Sequence, residues 1–279
     1  MGMLYAIENL ISSDTPLFSS SEDAAEWVSL DNLYNKRPSK PFRFTGQGSI
    51  GNPEWICVDL MAAQKVTFVG VFNHNMILSA VGDSLYIQGC DSACRGESGE
   101  CNWDAPPYEL SLEDRIVENF RNLYREIDAT YRYFTLEIID QNNPYALEIG
   151  ELFLGTTERF TNAKLQPGMA DGPMFTRTKQ TTHYGQNWIQ SLSESYRFSI
   201  EIINTGLANQ VDELNYFLRR VHENGGKFVF IPREDLPFAY YVFLDNERDF
   251  ANQIVRGRTD RVYSYRLELQ SLTEGISLL

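Results

Sequence analysis

A mainly β chain of two domains with one packed helix is what this sequence predicts, and three observations carry the prediction. The 279 residues include 17 Phe, 15 Tyr and 4 Trp, side chains that suit the half-buried pleated surface of a sheet. Short runs alternate apolar and polar residues at a period of two and are separated by Gly, Pro, Asn and Asp. One stretch alone shows helical spacing: Leu207, Val211, Leu214, Leu218 and Val221 recur at alternating four- and three-residue steps. A chain of this length holds one large or two ordinary domains, each with interior enough for a core.

Taken in order, residues 1–30 begin with an apolar set (Leu4, Ile7, Leu10, Ile11) and continue into the polar run 19–23. Residues 31–54 are rich in Pro and Gly and read as loop. Strands are expected at 55–60, 66–72, 85–88, 131–138 and 151–154, a series of short strands with turns between them that suits a sandwich or jelly roll. Residues 159–187 have few apolar positions and contain Pro167, Gly168, Gly172 and Pro173, so they read as a linker or extended arm. A strand from Tyr196 to Ile202 follows, and Asn204, Thr205 and Gly206 offer capping candidates for a helix over 207–224. Gly225 and Gly226 supply its left-handed stop, and aromatic strands come after at 227–231, 240–244 and 263–270. The domains are therefore drawn as 1–158 and 188–279, joined by 159–187.

Charge narrows the function classes. With 24 Lys and Arg against 38 Asp and Glu the formal net charge is −14, a field that repels phosphate backbones, so no nucleic-acid partner is expected. The longest apolar run, Val66 to Phe72, is too short to cross a bilayer, so no membrane insertion is expected. The first eleven residues hold Glu8 and no basic residue, unlike a secretory leader, which points to a cytoplasmic origin.

The first domain resembles the discoidin, or F5/8 type C, galactose-binding-like jelly roll. The resemblance is carried by Trp55-Ile56-Cys57-Val58-Asp59-Leu60, Tyr86-Ile87-Gln88, Tyr131-Arg132-Tyr133-Phe134 and Ile149-Gly150-Glu151-Leu152-Phe153, in order across roughly residues 30–155. The second domain, about 188–275, resembles the β module of distal and minor tail proteins of long-tailed phages. That likeness is one of layout: a strand, a helix containing Val211–Leu218, Gly225-Gly226, then an aromatic strand. Together the two resemblances imply a structural virion protein of the distal tail, the tail tip or baseplate. Its partners would be itself in a homo-oligomeric ring, other phage tail proteins and a host surface glycan. Its place would be the tail of the virion, assembled in the host cytoplasm. They also imply the alternative, a carbohydrate-binding adhesion module contacting host glycans.

Chemistry is sparse. Gly46-Gln47-Gly48-Ser49-Ile50-Gly51 has dinucleotide-loop spacing, but Asn52-Pro53 and a strand follow where a helix is required. Cys90, Cys94 and Cys101 lie close together and Cys57 lies apart, inside a strand. Reduced thiols, a disulfide formed after release and a zinc site remain open, with Cys57 read as a small buried residue. The three histidines, His74, His183 and His222, form no catalytic pattern, and His222 suits a helix C-terminus. No nucleophile elbow, metalloprotease or phosphate-loop signature is present, so no enzyme, no catalytic residue, no cofactor and no metal is expected.

Two surfaces stand out instead. Lys36, Arg37, Phe42, Arg43 and Trp103 could form a ligand or partner surface, an aromatic beside cations and amides being suited to a glycan; the alternation Phe42-Arg43-Phe44 is equally that of a strand. Tyr263, Tyr265, Arg266 and Glu268 are expected on a strand that pairs between subunits.

Overall fold

The alternating runs become strands in a computed structural model of the chain. It describes residues 3–78, 81–92, 94, 108–109, 122–160, 163–165, 173–181, 187–204, 208–232, 239–244, 253–256 and 261–271. Two compact units emerge: Glu8–Thr157 with Leu236–Ala239, called here the sandwich unit, and Met1–Ile7, Glu158–Asp235 and Tyr240–Leu279, called the helix unit. The first strand, β1 (Leu4–Ala6), belongs to the helix unit. This corrects the expectation that residues 1–7 lie in the first domain.

The sandwich unit holds β2 (Leu17–Ser19), β3 (Phe42–Arg43), β4 (Glu54–Phe72), β5 (Ser84–Cys90) and β6 (Tyr108–Glu109). β7 (Asn122–Ile139), β8 (Glu148–Ile149) and β9 (Glu151–Gly155) complete it. Its main sheet runs β2-β4-β7-β5-β6, with β9 added to the second half of β4, and β3 pairs with β8. The two expected strands 55–60 and 66–72 are one long strand, both halves of which pair with β7 in the same sheet. Between them the register with β7 shifts at Asp59/Gln64, and Met61 adopts φ 64°. Such an interruption bends a strand and increases its local twist.

The alternation of the sequence decides what faces inward. Ile56, Val58, Phe134, Leu136, Ile138, Leu85 and Ile87 are buried together with Val69, Val71, Leu152 and Leu154 from the second half. Each fully buried side chain of this kind contributes about 1.5–3 kcal/mol relative to exposure. The opposite face of β4 carries Cys57, which is bonded to Cys94, with S–S 2.02 Å. Tyr133, Trp55 and Phe18 pack on that disulfide as a second, smaller cluster. Cys90 is disulfide-bonded as well. Cys57 is buried, as expected, but as half of a disulfide on the face of β4 opposite the main core.

In the helix unit, β10 (Glu158–Arg159), β11 (Ala163–Leu165), β12 (Pro173–Thr181) and β13 (Asn187–Asn204) precede α1 (Ala208–Glu223). β14 (Lys227–Ile231), β15 (Tyr240–Leu244), β16 (Gln253–Arg256) and β17 (Arg261–Ser271) follow it. The sheet order is β10-β1-β14-β15-β17-β13-β11, with β12 on β13 and β16 on β17. Segment 159–187 thus contains strands, where a linker or arm was expected. β17 is an inner strand, with β13 on one side and β15 and β16 on the other. The inter-subunit edge expected at Tyr263, Tyr265, Arg266 and Glu268 is therefore already occupied within the chain, and Ser199 donates to the Glu268 carboxylate across the β13–β17 pair at 3.1 Å.

Helix α1 buries Leu214, Phe217 and Val221. Phe217 meets Tyr5, Phe160 and Phe228 edge-on, with ring centroids at 4.8, 4.9 and 5.4 Å, a favoured aromatic geometry. The helix stops as its glycines require: Gly226 N–H donates to Val221 O and Gly225 N–H to His222 O, with Gly225 at φ 71°.

Candidate functional site: the loop end of the sandwich

Three loops converge at one end of the sandwich unit: 44–53 ahead of β4, 73–83 between β4 and β5, and 140–147 between β7 and β8. They meet because β4 and β5 both begin there, Glu54 opposite Ile138 and Ser84 opposite Ile139. Asp140, fully buried, staples two of the loops. Its carboxylate accepts from the Ile77 and Leu78 backbone N–H groups at 3.0 and 2.9 Å and from the Asn143 side chain at 2.9 Å. Those bonds hold Leu78 at φ 47°, a conformation an aliphatic residue rarely adopts unaided. Asn143 also donates to Asn75 O, and Asn75 donates to Ala146 O and accepts from Glu148 N–H. The 44–53 loop is tied in through Leu147 N–H to Gly46 O. Gly48 sits at φ 78°, and a Cβ there would lie 2.4 Å from Ile138 O. At its base the buried Glu54 accepts from the Ser20 and Ser21 hydroxyls.

On this hydrogen-bonded frame several apolar and amide side chains are exposed, as Trp27, Met61 and Tyr216 are elsewhere on the chain. Tyr145 is 69% exposed on the 140–147 loop, and Ile50, Ile77 and Val81 are exposed on the other two loops. Gln47, Asn52, Gln141 and Asn142 are exposed amides of those loops, each able to donate and to accept. Tyr145 itself is positioned by its backbone N–H, which donates to Asn143 Oδ1 at 3.1 Å. An exposed aromatic ring and neutral amide donors and acceptors are groups of the kind that hold a polyhydroxylated ligand.

The surface expected from the sequence is dispersed by the structure. Phe42 is fully buried and packs on Phe44 at 4.7 Å, so it is core and not a ligand contact. Arg43 is committed internally: Nε donates to Glu148 at 2.7 Å, Asp23 lies at 3.7 Å, and the guanidinium lies 4.9 Å from the Trp27 ring centroid. Lys36, at φ 59°, gives its backbone N–H to the buried Glu151 carboxylate at 3.0 Å. Arg37 is exposed, its backbone N–H bound to Asn35. Trp103 and Cys101 lie outside the described residues. The dinucleotide-like glycines are loop, with an isolated Ser49–Asn52 bridge in place of a helix start. Among the described residues no group of three or more His, Cys, Asp and Glu side chains is placed to hold a metal ion.

No family model matches the chain, and no curated protein matches it. Solved structures do. A family 32 carbohydrate-binding module from Clostridium perfringens NanJ, in complex with galactose, is 15% identical over 56% of this chain and 99% of that one, with a TM-score of 0.38. A fucose-binding module from Streptococcus pneumoniae gives 14% identity, 53% and 94% coverage and a TM-score of 0.37. A chitosan-binding module from Paenibacillus sp. IK-5 gives 17%, 53%, 99% and 0.38.

The amide- and tyrosine-bearing loops were not singled out by sequence reasoning. The signal was Asp140-Gln141-Asn142-Asn143-Pro144-Tyr145, a turn composition with an aromatic that no core strand claims.

Proposed function

We propose that the chain is a non-catalytic recognition protein whose sandwich unit binds a neutral glycan at its loop end. The observation that carries this reading is Tyr145, exposed on loops held rigid by the buried Asp140 and accompanied by exposed amides. Aromatic faces stack on the C–H faces of sugar rings, and planar amides match vicinal hydroxyls. The phenol and amides named here are all neutral, which favours a neutral sugar. The test is a glycan-array screen of the full chain followed by titration calorimetry. Tyr145→Ala should weaken binding by about tenfold or more, equivalent to about 1.4 kcal/mol. A wild-type chain that binds no glycan, or a variant that binds as the wild type does, would overturn the reading.

The layout of the helix unit supports a second reading, in which the same chain is a structural subunit of a phage tail tip and carries the glycan-binding unit to the host surface. The supporting feature is the expected succession of strand, single packed helix, glycine stop and aromatic strand in β13, α1 and β14. Finding the chain by mass spectrometry in purified tailed particles would support it; finding it only outside particles would reject it.

A further inference from the structure

Cys57, Cys90 and Cys94 are each disulfide-bonded and fully buried, and among the described residues no cysteine is free. Cys57 lies within β4, between Phe18 of β2 and Thr135 of β7. Its partner Cys94 comes from the segment after β5, and Tyr133 packs on the pair together with the half-buried Trp55 and Phe18. Sheet order decides the pairing. Cys90 ends β5, which is separated from β4 by β7, a distance of about 10 Å between backbones. Cysteines whose Cα atoms are more than about 7 Å apart do not bridge, so Cys57 reaches Cys94 and not Cys90. The Asp91 carboxylate accepts from Arg132 N–H at 3.1 Å and pins the start of the segment that carries Cys94.

Burial then decides when the bond forms. Thiol–disulfide exchange requires an outside sulfur to approach and form a mixed disulfide. Neither Cys57 nor Cys94 offers an exposed surface for that approach. An oxidant therefore acts while the chain is still open, and a reductant acts only when it opens again. Chain order supplies the interval: Phe18, Trp55, Cys57 and Cys94 all precede Tyr133, whose strand β7 completes the cover. Structural disulfides of this kind belong to oxidising compartments, since glutathione and thioredoxin keep cytosolic thiols reduced.

We propose that the chain is the substrate of a protein dithiol oxidase, which joins Cys57 to Cys94 during folding in an oxidising compartment, before the aromatic cover closes. The two thiols lose two protons and two electrons. The oxidase disulfide takes up both through a mixed disulfide and leaves as two thiols. Folding is thereby set outside the reducing cytoplasm that the first eleven residues suggest, whatever the sandwich unit binds. The test uses two preparations of the full chain: one made in a reducing bacterial cytoplasm, the other unfolded, reduced and refolded with glutathione disulfide. Thiols are alkylated at lysis or quench, and pairs are mapped by mass spectrometry. The refolded product should carry the Cys57–Cys94 link and no Cys57–Cys90 link. The cytoplasmic product should carry alkylated cysteines and unfold at lower denaturant. Dithiothreitol should open the bond at least about a hundredfold more slowly in native buffer than in denaturing urea. Phe18→Leu and Trp55→Ala should each speed native reduction severalfold, whereas Trp27→Ala, outside the aromatic cover, should not. A cytoplasmic product already linked or as stable without the bond, a Cys57–Cys90 link, or native reduction as fast as in urea would each overturn the proposal.

Discussion

Single side chains set the loop end and limit what can be changed there. Asp140 accepts three hydrogen bonds while fully buried, so Asp140→Ala leaves three donors without that acceptor. Each unsatisfied buried donor costs about 1–3 kcal/mol before water relieves it. We expect a loss of roughly 3 kcal/mol in urea unfolding, together with weaker glycan binding. The Asp59–Arg132 pair predicts acid sensitivity. Arg132 donates to both Asp59 oxygens at 2.8 Å, and this bonding holds the Asp59 carboxyl below its usual range, with the Met61 N–H assisting against the opposing effect of burial. A folded-state value below the unfolded one means the contribution is complete above about pH 4, the unfolded value, and is lost as the pH falls through the lower folded value. The Asp59→Asn protein should therefore show a shallower fall in stability below pH 4 than the wild type. At this scale the sequence was partly legible. Phe42-Arg43-Phe44 declared its strand by alternation, but nothing in the sequence shows that Glu148, a hundred residues on, neutralises Arg43.

Elements were more legible than side chains because periodicity is local and contacts are not. The helix expected at 207–224 is α1 at 208–223, and strands were expected within β4, β5, β7 and β9. What escaped was pairing. β17 alternates cleanly enough to pass for an edge, yet its neighbours on the two sides come from residues 197–204 and from 242–244 and 253–256, which no local pattern announces. The same holds for the Cys57–Cys94 bond, closed across a separation of 37 residues. A loop of that size corresponds to about 4 kcal/mol of unfolded-state entropy. The Cys57→Ser, Cys94→Ser protein should lose stability of that order in guanidinium unfolding, and a reducing agent should weaken the wild type in the same sense. Gly225 gives a sharper test. At φ 71°, with nothing within 4 Å of where a Cβ would stand, Gly225→Ala meets no clash, so any loss reports backbone conformation alone. About 1 kcal/mol is expected from the left-handed penalty, read from thermal unfolding.

At the scale of the whole molecule the chain is not a string of two domains but one unit inserted into another. β1 pairs with both β10 and β14, Leu4 with Arg159 and with Ile231, so β1 is completed only by residues far along the chain. Expressing 188–279 alone should therefore give a disordered chain by amide proton spectra, since β1, β10, β11 and β12 are missing, while Glu8–Thr157 should give dispersed signals. This organisation has a consequence for folding during synthesis. β1 leaves the ribosome before its partner β14, which follows more than two hundred residues later. In the interval the whole of 8–157 becomes available, and its two ends lie together once it folds: Leu10 N–H donates to Leu154 O, and Asn9 accepts from Leu154 N–H. The folded sandwich unit then delivers β1 and β10 side by side, as a tight turn delivers the arms of a hairpin. Closing a flexible loop of that length would otherwise cost on the order of 4 kcal/mol. A unit inserted in this way acts as a folding clamp for the unit that carries it, so damage to its core should lower the yield of both.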